Sequence, residues 1–227
     1  MAPVTEVVLL TLAPGADYAA ITASAKTIAQ QPGCLAVRTS RLHGEPHLVH
    51  YFIDWDAVES HHAFERNGAV YGPFLARLGA AMTGYAAPYH VALAPSPPAV
   101  FDGRAEGDGA VVVVGKAWFP GGAAGREEEA AAAAFAALVD GLRGAPGFTG
   151  EVARGWSLES EVVREGGGGR SRVFLFAVGW ESVEAGVRFR ESGEFGEAVA
   201  RMEGVEVLEV CLVNLQGVSS WQPSLTG

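Results

Sequence analysis

Apolar and polar positions run along this chain in two similar series. In the first, residues 5–12 are mostly aliphatic and β-branched, which predicts a strand. Tyr18, Ile21, Ala25 and Ile28 then recur every three or four positions, the mark of an amphipathic helix over 17–30, stopped by Pro32 and Gly33. Residues 35–42 set Leu35 and Val37 against Arg38 and Ser40, as a half-buried strand does. After a Gly44-Glu45-Pro46 turn, residues 47–54 predict another strand. Asp56 and Glu59 have the spacing of a capping box. They open helical sequence that runs towards Met82, broken near Gly68 or Pro73, and residues 85–93 close the series as a strand.

The second series keeps that order. Strands are predicted over 110–119, 172–179 and 205–215, with one more after Pro146-Gly147, which echoes Pro32-Gly33. Helices are predicted over 126–142, where Glu127, Glu128 and Glu129 suit the positive end of the dipole, and over 183–191. Trp55, Val58, Glu59, Phe64 and Gly68 match Trp180, Val183, Glu184, Phe189 and Gly193 at a constant offset of 125. The prediction is an α+β chain of two ferredoxin-like β-α-β-β-α-β repeats. A sheet with helices on one face leaves its other face bare, so the two sheets are expected to pack on each other as an intrachain, pseudo-dimeric α/β barrel. Residues 1–94 form the first repeat and 110–216 the second, with a Pro- and Gly-rich linker over 95–109 and a tail over 217–227. The glycine run 166–169 lacks the Lys-Ser/Thr of a phosphate loop and is expected to be a hairpin tip.

Composition narrows the function. With 26 acidic against 16 basic residues, a formal charge of -10, the chain has no basic stripe for nucleic acid or for an anionic membrane surface. Its 2 cysteines, Cys34 and Cys211, lie in apolar runs and are expected to be free thiols. The start of the chain lacks signal-peptide patterning and no run approaches a membrane span, so a soluble, cytoplasmic protein is expected.

The segment Trp55-Asp-Ala-Val-Glu59-Ser-His61-His-Ala-Phe64, followed by Tyr71-Gly-Pro-Phe74, resembles antibiotic biosynthesis monooxygenase-type domains of the dimeric α/β-barrel superfamily, in particular their fungal versions. Trp180-Glu-Ser-Val-Glu-Ala with Phe189 and Ser192 is similar to a second copy. The resemblance implies a barrel that hosts cofactor-free oxygenases of anthrone-like phenols, polyketide cyclases, haem degraders or stress proteins. Phe64 and Phe189 stand where many members carry His. His61 occupies the position fungal forms favour, and its counterpart is Gly186. The Asn and second Trp of haem-degrading relatives are not evident. The asymmetry places any active pocket mainly in the first half.

Five of the 6 histidines fall between His43 and His62. His47 and His50 point to opposite faces of a strand, and His61 and His62 diverge on a helix, so no metal site is predicted. Residues 48, 50, 52 and 54 share one strand face, and the bulkier 49, 51, 53 and 55 share the other, expected against the helices. That directs His50, Phe52 and Asp54 to the space between the sheets, opposite Leu175. The candidate catalytic residues are His50, with Asp54 nearby as its carboxylate, His61 as an alternative base, and Tyr71 as an oxyanion donor. Arg38, Phe52, Asp54, Trp118, Trp156 and Leu175 are the candidate substrate-binding residues. The resemblance then implies a cofactor-independent monooxygenase acting on an aromatic or polyketide-like molecule. A non-redox cyclase or lyase, and a non-catalytic binding or stress-related barrel, are the alternatives. Expected partners are a small hydrophobic or aromatic molecule and no cofactor. The chain is expected as an internally paired monomer, with homodimerisation left open.

Overall fold

The computed structural model describes residues 2–102, 109–163 and 170–218. In the first half these form β1 (Val4–Leu12), α1 (Tyr18–Ala29), β2 (Cys34–Leu42), β3 (Glu45–Trp55), α2 (Val58–Arg66), α3 (Gly68–Gly79), β4 (Met82–Tyr85) and β5 (Tyr89–Val91). A 3-10 turn, Ala99–Phe101, comes next. The second half holds β6 (Val111–Pro120), α4 (Arg126–Gly141), β7 (Phe148–Trp156), β8 (Val162–Val163), β9 (Arg170–Trp180), α5 (Val183–Arg190), α6 (Gly193–Ala200), β10 (Val207–Val213) and β11 (Gln216–Val218). The glycine run 166–169 lies outside the described residues. Among them, no helix is long and apolar enough to cross a membrane.

Local chemistry sets most boundaries. Asp17 caps α1 by accepting from the Ala19 N–H at 2.8 Å, and Ser182 and Ser192 cap α5 and α6 in the same manner. The capping box expected at Asp56 does not form. Ala57 is the N-cap of α2, and Asp56 instead accepts the Ser60 hydroxyl at 2.5 Å. That pair packs over Gly33, whose φ of +83° and lack of Cβ let the backbone pass within reach of it. The helical stretch breaks at Asn67, and Pro73 sits inside α3 without ending it. The closing strand of the first half is two short pieces rather than one, with Pro88 between them, and both pair with β1.

The strands form one mixed-order antiparallel sheet along the path β4-β1-β3-β2-β10-β6-β9-β7, with β5 on β1, β11 on β2 and β8 on β9. Two seams join the halves. In one, β2 pairs with Val213 of β10 and with all of β11. In the other, the ends of the path meet: Ala94 and Arg154 exchange backbone hydrogen bonds of 2.8 and 3.0 Å, and Leu158 N–H donates to His90 C=O at 2.8 Å. Gly155 makes this seam possible, because a Cβ there would fall 2.2 Å from the Ala92 carbonyl oxygen.

The period-2 alternation divides the core into three. Val49, Tyr51, Ile53 and Trp55 pack with α1, α2 and α3, and Phe174, Phe176, Val178 and Trp180 pack with α4, α5 and α6. Between the sheet faces lies a third cluster that includes Phe52, Trp118, Val173, Leu175 and Ala177. The turn after the first half contributes to it. Phe101 is fully buried and stacks on Phe52 with ring centroids 4.4 Å apart, so this part of the 95–109 stretch plugs the inter-sheet space.

Candidate functional site

Between the sheet and helices of the first half lies a cavity of about 290 Å³. Its walls are apolar, with Val8, Leu10, Ile53, Phe64, Phe74 and Leu78 prominent. Glu6 is the one carboxylate among its lining residues. On β1 the even positions face the helices, so the alternation that buries Val4 and Leu10 buries Glu6 as well. Burial pushes its carboxyl up to about 7, against smaller opposing effects from the Trp55 hydrogen bond and His90.

Glu6 begins a chain of polar contacts. Trp55 Nε1–H donates to Glu6 Oε2 at 2.8 Å, and the other carboxyl oxygen lies 3.4 Å from His61 Nε2. His61 Nδ1 stands 2.9 Å from His90 Nε2, and His90 Nδ1 stands 2.7 Å from Glu159 Oε1. The second oxygen of Glu159 accepts the His90 backbone N–H at 2.9 Å. Burial raises the Glu159 carboxyl, but the hydrogen bonds from His90 outweigh it and hold the group below its ordinary range. As an ionised acceptor, Glu159 requires the proton of His90 on Nδ1. His90 Nε2 then accepts from His61 Nδ1–H, which leaves His61 Nε2, between Glu6 and Glu65, as the bare acceptor of that ring. His61, held down to about 4 by burial and then by the neighbouring His90 and His62, is neutral at physiological pH. His61 thus stands between Glu6 and His90, beside a Glu159 side chain that reaches solvent.

Among the described residues, the second half has no counterpart of this cluster. At the ladder positions matching Glu6, His61 and His90 stand Val113, Gly186 and Leu212. A Cβ on Gly186 would lie 3.2 Å from Leu212, so the place is closed by aliphatic groups. Trp180 Nε1, the counterpart of the indole that serves Glu6, is buried without a partner. The fold thus stands without the polar cluster, which costs the first half two buried imidazoles and a buried carboxylate.

Of the predicted site residues, His61 is in this chain and stacks on Trp55, and Tyr71 packs edge-on against Phe64 and next to Phe74. Burial, then Glu65 and Glu6, keep the Tyr71 phenol protonated. His50, Phe52, Trp118 and Leu175 lie on the sheet face turned away from the helices, in and beside the third core cluster. Asp54 does not partner His50. The two are four residues apart on β3, roughly 13 Å, and Asp54 accepts from Thr5 Oγ1 and Arg38 Nη1, each at 2.7 Å. Arg38, buried rather than solvated, also pairs with Asp102. Trp156 lies on the helix side, not towards the inter-sheet space: it pairs with Phe174, whose face it shares, and packs on Phe119 under Arg172.

Glu6, His90 and Glu159 escaped the sequence reading. Glu6 had a visible signal, a lone charge on the apolar face of a strand. Glu159 had none, since only folding brings it to His90. Glu6, His61 and His90 each place one ligand atom within 4.8 Å of the others, a donor set suited to a divalent transition metal. His61 Nδ1, however, is already hydrogen-bonded to His90, and its Nε2 stands 3.4 Å from Glu6 and 3.7 Å from Glu65.

No protein-family model and no curated protein matches the chain. Solved structures do. An anthrone oxidase-like protein superposes with a TM-score of 0.70 at 16% identity, covering 98% of this chain and 95% of that one. A candidate monooxygenase from Fusobacterium nucleatum superposes with a TM-score of 0.62 at 8% identity, covering 96% and 94%. Another, from Lactobacillus acidophilus, gives 0.59 at 12% identity, covering 97% of both chains. The chain shares the mixed α/β fold of these proteins, helices packed on an extended antiparallel sheet.

Proposed function

We propose that this chain is a cofactor-independent oxygenase that takes an aromatic, polyketide-like molecule into the helix–sheet cavity of its first half. The observation that carries the reading is an apolar cavity whose one carboxylate heads a proton relay to the surface. In this scheme Glu6 removes a proton from the acidic methylene of an anthrone-like substrate and the relay carries it to His90. Tyr71, beside two lining residues, donates a hydrogen bond to the developing oxyanion. The substrate anion reduces molecular oxygen, and the pair recombine as a hydroperoxide. That group loses water, so the methylene exchanges two hydrogens for one ketone oxygen and the second oxygen atom leaves as water. An apolar pocket favours the small, apolar co-substrate and protects the anion. The likeness to an anthrone oxidase-like protein supports the substrate class by analogy of fold.

The finer architecture belongs to the same proposal. The 125-residue offset and the matching ladders of β1 with β3 and β6 with β9 support two repeats paired inside one chain as a pseudo-dimeric barrel.

Oxygen uptake with anthrone tests the activity. The expected result is one oxygen consumed per anthraquinone formed, with Glu6→Gln lowering kcat about a hundredfold, the usual scale for a lost general base. A product formed at the same rate without oxygen would make the protein a cyclase or lyase instead.

A further inference from the structure

His61 Nε2 is a bare imidazole nitrogen between two carboxylates, Glu6 Oε1 at 3.4 Å and Glu65 Oε1 at 3.7 Å. The ring supplies no proton there, because its one N–H is on Nδ1 and points to His90. A lone pair facing two acceptors is repulsive unless something positive sits among them. The spacing suits a metal ion better than a proton. Donors around a tetrahedral zinc, at its usual bond lengths to N and O, stand about 3.3–3.5 Å apart. Glu6 and His61 meet that spacing, which is longer than an ordinary hydrogen bond between such atoms.

The two buried donors are oriented from behind. Trp55 Nε1–H holds the other oxygen of Glu6 at 2.8 Å, and the His90–Glu159 pair fixes the His61 tautomer that bares Nε2. Outer hydrogen bonds of this kind accompany metal-bound carboxylates and imidazoles. His90 completes a three-donor group within 4.8 Å, but its Nε2 is taken by His61 Nδ1, which makes it the orienting partner of His61. Glu65 follows His61 by one turn of α2 with 40% of its side chain exposed, so it can rotate onto an ion arriving from solvent. We infer that Glu6 Oε1, His61 Nε2 and Glu65 Oε1 bind a divalent transition-metal ion of the zinc class, with a fourth position left to water. The imidazole selects such an ion over calcium or magnesium, and the two carboxylates balance its charge. An ion on Glu6 Oε1 occupies the base and stops it from taking a proton. That consequence rests on the proposed oxygenase, whereas the binding does not.

Calorimetric titration of the chelator-stripped full chain with zinc chloride tests the site. Saturable binding is expected, weakened about tenfold by Glu65→Gln and about a hundredfold by His61→Ala, since outer partners alone are worth 10–100-fold in metal affinity. Glu65 is part-exposed, so its variant keeps the fold, and His47→Ala, at an exposed histidine outside the site, is expected to leave the affinity unchanged. Absence of saturable binding, or an affinity indifferent to Glu65→Gln and His61→Ala, would overturn the site. Oxygen uptake with anthrone is expected to fall as the zinc site fills and to return on adding EDTA, with Glu65→Gln needing about ten times more zinc. Uptake untouched at saturating zinc would overturn the blocking of Glu6. A parent chain with no oxygen uptake at all would end the oxygenase reading, while the titration still decides the ion site.

Discussion

His61 Nδ1 and His90 Nε2 meet at 2.9 Å, although one ring comes from α2 and the other from the three-residue strand β5. Two imidazoles this close and this buried must share a proton, because two bare lone pairs or two N–H groups would repel. Glu159 decides the direction of sharing by claiming Nδ1 of His90. The same strand turns Tyr89 to the opposite face, into the core cluster that holds Phe52 and Trp118.

Glu6 makes stability fall as pH rises. Below about 4.5 the carboxyl is neutral in folded and unfolded chains alike; from there to about 7 the unfolded chain ionises while the folded one does not. The loss is complete above that window. Urea unfolding at pH 5 and pH 8 is expected to show Glu6→Gln gaining about 3 kcal/mol on the parent across the interval.

Glu159→Gln keeps one acceptor where two are needed. The His90 ring then loses its fixed tautomer, and the relay loses its direction. Nitrogen NMR of the imidazoles is expected to change from one tautomer to a mixture, with turnover falling about tenfold, as for other carboxylates that orient a functional histidine.

Arg38 and Asp54 form a buried ion pair, with 5% of each side chain exposed. Arg38→Ala would strand the Asp54 charge and is expected to cost about 3–5 kcal/mol in chemical denaturation. The double variant Arg38→Met/Asp54→Leu is expected to recover most of that loss, which would assign the pair to structure rather than to substrate binding.

Gly155→Ala attacks the seam between the halves. Its new Cβ would strike the Ala92 carbonyl oxygen, which is backbone and cannot swing aside. A loss of at least about 2 kcal/mol is expected, with hydrogen exchange at Ala94 and Arg154 accelerating before exchange in β3.

Strand and helix periodicity along the chain was enough to say which side of β3 and β9 meets the helices, because alternation is a property of the backbone and needs no partner. It put Trp55 and Trp180 in the helix-side cores and His50 and Leu175 between the sheets. The same reasoning failed where geometry depends on what arrives from elsewhere. Nothing near Asp54 foretells that Arg38 and Thr5 take both of its oxygens, and Asp56 lost its capping role to a contact with Ser60 over Gly33. Trp156 followed the register of β7 on β9, which passes through a bulge that no local pattern reveals.

Residue order alone thus determined most of the strands and helices and their apolar faces, which arise from interactions within a few positions. The polar chain from Glu6 to Glu159 was decided by folding. It joins side chains from β1, α2, β5 and the segment after β7, and its distances exist only once the sheet and its helices have packed.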